Sequence, residues 1–120
     1  MRAWQYSQRG SPRNAISVND SAPMPTIQAT NQVLVRVAYV GMNQTFSDIL
    51  MRIPTPFRPT TTCELDFCGV VVEAGTSVNL EFKPGTRVFG SLDDMRHIRE
   101  GLGAMAEYVV VQEKIGRAHV

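Results

Sequence analysis

Few residues in this chain could do chemistry. Gly101-Leu-Gly103-Ala-Met-Ala106 fits the Gly-x-Gly-x-x-Gly/Ala pattern, whose glycines bring backbone N–H groups against a pyrophosphate. That chemistry needs a buried strand before the glycines and a helix after them. Here Asp93-Asp-Met-Arg-His-Ile-Arg-Glu100 precedes them, too charged for a buried strand, and β-branched residues follow. The match is therefore set aside as a decoy. Asp93, Asp94 and His97 would make a small metal site only if their loop were helical, and a solvated charged loop is the expected state. Cys63 and Cys68 are five apart, so on one strand they would point to opposite faces. Neither a mutual disulfide nor a shared metal is expected from them. Two cysteines are too few for a disulfide framework, and a reduced intracellular chain follows as the simpler reading.

The elements that would position such residues are mostly strands. Residues 1–6 read as a short strand, and residues 14–20 alternate apolar and polar as a half-buried strand does. Gln32 to Val40 is rich in β-branched residues and places Val33, Val35 and Val37 on one face, with Gly41 ending it. Gln44 to Arg52 carries Phe46, Ile49 and Leu50 at helical spacing, with Thr45 or Ser47 available as a cap. Pro54, Pro56 and Pro59 then forbid regular structure up to Thr62. Asp66 to Ala74 is a second strong strand. Lys83-Pro84-Gly85-Thr86 is a turn with proline second and a glycine third that accepts positive φ. Arg87 to Gly90 is a short strand, Ser91 to Gly103 a loop or one helical turn, and Met105 to Val111 the last strand. Phe67, Phe82 and Phe89 are expected in the core or packed on turns. The sum is a mainly β domain, a partly open β-barrel with one or two short helices.

Composition narrows the partners. The 120 residues suit one domain, and 43% apolar with 19% charged residues suits a folded chain. Twelve Lys and Arg against eleven Asp and Glu leave a net charge of +1 with no basic run, so no nucleic-acid partner is expected. There is no apolar signal segment and no run long enough to span a membrane, which points to a cytoplasmic protein. The last six residues, Ile115-Gly-Arg-Ala-His-Val120, read like an in-frame translation of a sequencing adapter. They are expected to be foreign to the gene, and His119 is left out of the functional reading.

Several segments in order carry a resemblance. Val33-Leu-Val-Arg-Val-Ala, Gly41-Met-Asn43, Glu64-Leu-Asp-Phe-Cys-Gly-Val-Val71, Phe82-Lys-Pro-Gly-Thr-Arg-Val-Phe-Gly90 and Gly103-Ala-Met-Ala-Glu-Tyr-Val-Val110 occur at matching separations. Over residues 1–113 the chain resembles the N-terminal, GroES-like (alcohol dehydrogenase-like) domain of the medium-chain dehydrogenase/reductase superfamily. The resemblance implies a domain spanning 1–114, and a nucleotide-binding Rossmann domain that lies beyond this chain. The zinc-dependent branch places a cysteine just after the strand ending at Val40 and a His-Glu pair before Gly69. Here those places read Gly41-Met42-Asn43-Gln44 and Leu65-Asp66. Asp66 alone cannot supply the three or so ligands a catalytic zinc needs. The four cysteines of the structural-zinc lobe are missing from residues 91–103. The resemblance is therefore to the zinc-independent, quinone oxidoreductase-like branch. The family's Pro-Gly before the acidic residue is Cys63-Glu64 here.

That branch implies hydride transfer from NADPH to a quinone, enone or enoyl substrate by the full-length parent, which can be a homodimer. No cofactor is expected on this fragment. The protein then needs neutral hydrogen-bond donors for the charge growing on the substrate oxygen. Asn43, just after a strand where the family's cleft begins, is the first candidate; its other reading is a turn residue bonding its own backbone. Asp48 is a second candidate, with helix capping or solvent exposure as the alternative. Tyr108 is a third, with strand packing as the alternative. The rival functions are a stand-alone GroES-like binding or assembly module and a zinc-dependent alcohol dehydrogenase. The module would need a mobile loop with an apolar tripeptide, which 53–62 does not offer. The dehydrogenase lacks its ligands.

Overall fold

The structure is a computed structural model and describes residues 1–7, 12–43, 60–113 and 118–119. In chain order the elements are β1 (Ala3–Tyr6), α1 (Pro12–Ala15), β2 (Ile16–Asn19), β3 (Gln32–Gly41) and β4 (Thr61–Thr62). Then follow β5 (Asp66–Ala74), a 3-10 turn (Leu80–Phe82), β6 (Arg87–Ser91), α2 (Asp94–Glu100), β7 (Tyr108–Gln112) and β8 (Ala118–His119). They form a three-stranded sheet, β2-β1-β4, and a five-stranded sheet, β7-β3-β5-β6-β8, every pairing antiparallel. The fold is mainly β, open rather than a closed barrel.

β3 lies between β7 and β5. Its β-branched residues pair on both sides, Val35 with Val71 of β5 and with Val109 of β7. Because side chains alternate, Val33 and Val35 point inward with Phe67, Val71, Val88 and Val111 and are fully buried. Burying each such valine contributes about 1.5–2 kcal/mol. Register shifts at Leu34/Val35 and Val37/Tyr39 bend β3 across the core, so Val37 packs only at its margin. β5 falls on the expected residues, and the turn after it forms as expected. Thr86 N–H donates to Lys83 O at 3.1 Å, and Gly85 has φ 94°.

Other expectations are corrected. Residues 14–20 divide between the end of α1 and β2, since Pro12 begins a helical turn where its missing N–H costs nothing. Thr61–Thr62 is a strand despite its proline-rich approach, because it pairs with Gln5 and Tyr6. The charged stretch after β6 is a two-turn helix and not a solvated loop. Asp93 caps it by accepting from Met95 N–H, and Gly101 closes it at φ 73°. Phe67 and Phe82 are buried, whereas Phe89 lies on the outer face and is 55% exposed. The helix expected over 44–52 and the prolines at 54, 56 and 59 lie outside the described residues.

The segment between α2 and β7 stitches the two sheets together. Thr62 N–H donates to Gly101 O (2.9 Å), Met105 N–H to Cys63 O (3.0 Å), and Trp4 N–H to Met105 O (2.9 Å). Gly103 permits this contact, since a Cβ there would stand 2.0 Å from Thr62 O and 2.5 Å from Cys63 O. Gly103→Ala is expected to lower stability by about 3 kcal/mol, from overpacking against backbone that cannot yield. Urea unfolding of the variant against wild type measures it; a loss below about 0.5 kcal/mol would contradict the close approach.

Candidate functional site

The candidate site lies at the end of the large sheet where β3 leaves and β5 enters. Gly41 of β3 pairs with Asp66 of β5, and Asp66 with Ser91 of β6, so these three residues form one rim. A Cβ on Gly41 would meet the Asp66 Cβ at 3.0 Å, so glycine keeps this end of β3 close to the carboxylate of Asp66. Met42 and Asn43 continue from the rim, both exposed, Met42 at 78%.

Glu64 closes the site from below. Its carboxylate accepts the backbone N–H of Asn43 at 3.3 Å, and the residue is only 8% exposed. Two successive carbonyls, those of Cys63 and Glu64, accept from Met105 N–H (3.0 Å) and Ala104 N–H (2.8 Å). In a regular strand successive carbonyls point to opposite sides. Turning both toward one neighbour requires a reversal, and Glu64 takes it at φ 64°, the one positive φ of a non-glycine among the described residues. The sequence reading placed Asn43 here and passed over Glu64. The available signal was the acidic residue standing where the resemblance asks for glycine.

The other candidates separate. Asp48 lies outside the described residues. Tyr108 begins β7 opposite Arg36, at the end of β7 nearer Gly41, and is partly buried. His97 is 2% exposed, and its Nδ1 lies 2.6 Å from Leu102 O. A carbonyl only accepts, so Nδ1 carries the proton and the ring serves to tie α2 to the segment after it. Asp93 is occupied in capping. Among the described residues no three His, Cys, Asp or Glu side chains group as metal ligands. The Gly101–Ala106 stretch contains the helix C-cap and the crossover to β7, a geometry opposite to a phosphate-binding helix start.

Cys63 and Cys68 are both free thiols, kept apart by different means than strand alternation. Cys63 precedes β5 and is buried beside Tyr6 and Ala15, while Cys68 is on β5, partly exposed on the outer face. Burial, and then the neighbouring charge of Glu64, push the Cys63 thiol from its ordinary 9.0 up to about 12.

The geometry and the comparisons agree on the class of protein. The family model for the alcohol dehydrogenase GroES-like domain matches residues 29–117. The chain belongs to that family, the N-terminal domain type of the medium-chain dehydrogenase/reductase superfamily. Among curated relatives, a trans-enoyl reductase from Hypocrea jecorina is 37% identical over 112 residues, covering 85% of this chain and 31% of the relative. Among solved structures, the quinone oxidoreductase of Pseudomonas syringae pv. tomato superposes with TM-score 0.73 at 27% identity, over 93% of this chain and 31% of that one. The Escherichia coli quinone oxidoreductase, solved with NADPH, superposes with TM-score 0.76 at 19% identity, over 100% of this chain and 33% of that one. The chain thus spans about a third of the length of the relatives it matches.

The two thiols provide a check. Because the folded state raises the Cys63 pKa, its stabilising contribution is whole below pH 9.0 and is lost as the pH climbs toward 12. Wild type is expected to lose stability over that alkaline window more steeply than Cys63→Ala, followed by urea midpoints at successive pH values. At pH 8 a thiol reagent should label one cysteine rapidly, Cys68, and the second only on unfolding. Equal labelling rates for both would show that Cys63 is accessible.

Proposed function

We propose that this chain is the substrate-side domain of a cytoplasmic, NADPH-dependent reductase that delivers hydride to a conjugated carbonyl compound, of the enoyl or quinone type. The observation that carries the reading is Asn43 at the rim: a neutral amide at the exit of β3, its backbone held by Glu64. A nicotinamide cofactor supplies the hydride when bound. This domain's part is to hold the substrate carbonyl and to stabilise the charge that grows on its oxygen. The Asn43 side-chain amide is a donor that does so without titrating. Asp48, next along the chain, is proposed as a second group of the same cleft.

The rim does not suit a catalytic zinc. Met42 offers only a weak thioether, Leu65 has no lone pair and is buried, and the Glu64 carboxylate is engaged by the Asn43 N–H. That leaves Asp66 on the rim, short of the three ligands a catalytic zinc uses. The names of the curated relatives support the reductase reading, and their greater length supports a separate nucleotide-binding unit in the parent. On this proposal the 120-residue chain alone neither binds NADPH nor turns over substrate.

The decisive experiment uses the full-length reductase that contains this domain. Asn43→Ala is expected to lower kcat with an enoyl substrate by about 100-fold, at an unchanged KM for NADPH. A kcat within about twofold of wild type would remove Asn43 from the cleft. Calorimetry of NADPH against the 120-residue chain should show no heat of binding; binding at about micromolar concentration would contradict the division of labour.

A further inference from the structure

We infer that Glu64 is a positioning residue: it accepts a costly backbone conformation in order to hold the exit of β3, and with it Asn43, in one place. The inference rests on the reading of Asn43 as a cleft residue. Its physical basis stands apart from that reading.

Left-handed backbone is disfavoured for a residue with a Cβ, and glycine relieves the crowding at once. The conformation at residue 64 accompanies main-chain bonds: the carbonyls of Cys63 and Glu64 both accept from the segment 104–105. Glycine would satisfy those bonds equally well. What glycine could not supply is the carboxylate that takes the Asn43 N–H at 3.3 Å.

The surroundings show why that contact matters. Asn43 lies two residues past the last paired residue of β3, Gly41, so ladder hydrogen bonds no longer hold it. Glu64 in turn is anchored by its burial and by its neighbour Leu65, whose carbonyl accepts from Leu92 N–H at 2.9 Å. A carboxylate fixed from below therefore reaches the first stretch of backbone that the sheet itself does not restrain. Strain of this kind collects where a site must be held in one geometry. The role is one of placement, since it is the Asn43 side chain that faces the reaction.

The test uses the 120-residue chain labelled with nitrogen-15, and compares Glu64→Gly with Glu64→Gln. Glu64→Gly is expected to keep or raise Tm, because the left-handed backbone suits glycine. The same change should speed hydrogen exchange at the Asn43 amide by about fivefold or more, and shift its proton resonance upfield as a charge-assisted bond is lost. Glu64→Gln retains an acceptor oxygen and should hold Asn43 exchange within about twofold of wild type. Unchanged exchange at Asn43 in Glu64→Gly would overturn the inference. So would a Glu64→Gln chain that released Asn43 as Glu64→Gly does. A fall in Tm with lost protection throughout the sheet in Glu64→Gly would make residue 64 a general support, which also overturns it. None of these readings depends on turnover, so failure of the reductase proposal and failure of this one are distinguishable.

Discussion

The approach of the segment 101–105 to the segment 61–64 is the contact on which the rest of this domain depends. Its hydrogen bonds run between main-chain atoms, with Thr62, Ala104 and Met105 donating to Gly101, Glu64 and Cys63. Buried backbone groups must be paired, so the chain cannot relax this contact without leaving several donors and acceptors unsatisfied. The contact joins the small sheet to the large one and sets where β5 begins. It also forces the reversal at Glu64. The glycine at 103 is needed for this geometry, and its apparent place in a nucleotide-binding pattern is incidental.

From that contact the site follows in steps. Once the carbonyls of residues 63 and 64 both face the crossover, the Glu64 side chain is directed toward the end of β3. There it meets the backbone N–H of Asn43, two residues past the last paired residue of β3. The pairing of Gly41, Asp66 and Ser91 brings three strand ends to the same rim. The domain thus offers a neutral amide on a restrained backbone near the carboxylate of Asp66. The proposed role of that amide is to hold a substrate oxygen. The chain belongs to the alcohol dehydrogenase GroES-like domain family. Among the described residues, no helix is long and apolar enough to cross a membrane.

The failures of the sequence reading have physical causes. The stretch 91–103 looked too polar for a buried role, yet α2 forms because Asp93 caps its start, Gly101 closes its end and His97 turns inward onto Leu102 O. His97 is the one buried residue of this helix, with Ile98 beside it only partly buried, and two adjacent positions leave no periodic signal. As an aromatic residue Phe89 is expected in the core or packed on a turn, but inward and outward positions on β6 follow from the register with β5, which puts Val88 inside and Phe89 out. Cys63 and Cys68 were separated on the assumption of a shared strand, when only one of them lies on β5.

What the sequence determined by itself is what local patterns encode. The β-branched runs at 32–41 and 66–74 and the Pro-Gly turn at 84–85 specify their own conformations, and the order of the motifs identifies the family. The absence of thiol and imidazole at 42 and 65 is equally a property of the sequence. That Asn43 stands two residues past the end of a strong strand is likewise a property of the sequence. Only the tertiary structure decided the part played by Glu64. Its backbone angle is dictated by hydrogen bonds to residues forty positions away along the chain, at 104 and 105, and its carboxylate acts on a residue twenty-one positions before it. No local pattern in a sequence records a bond between segments so far apart.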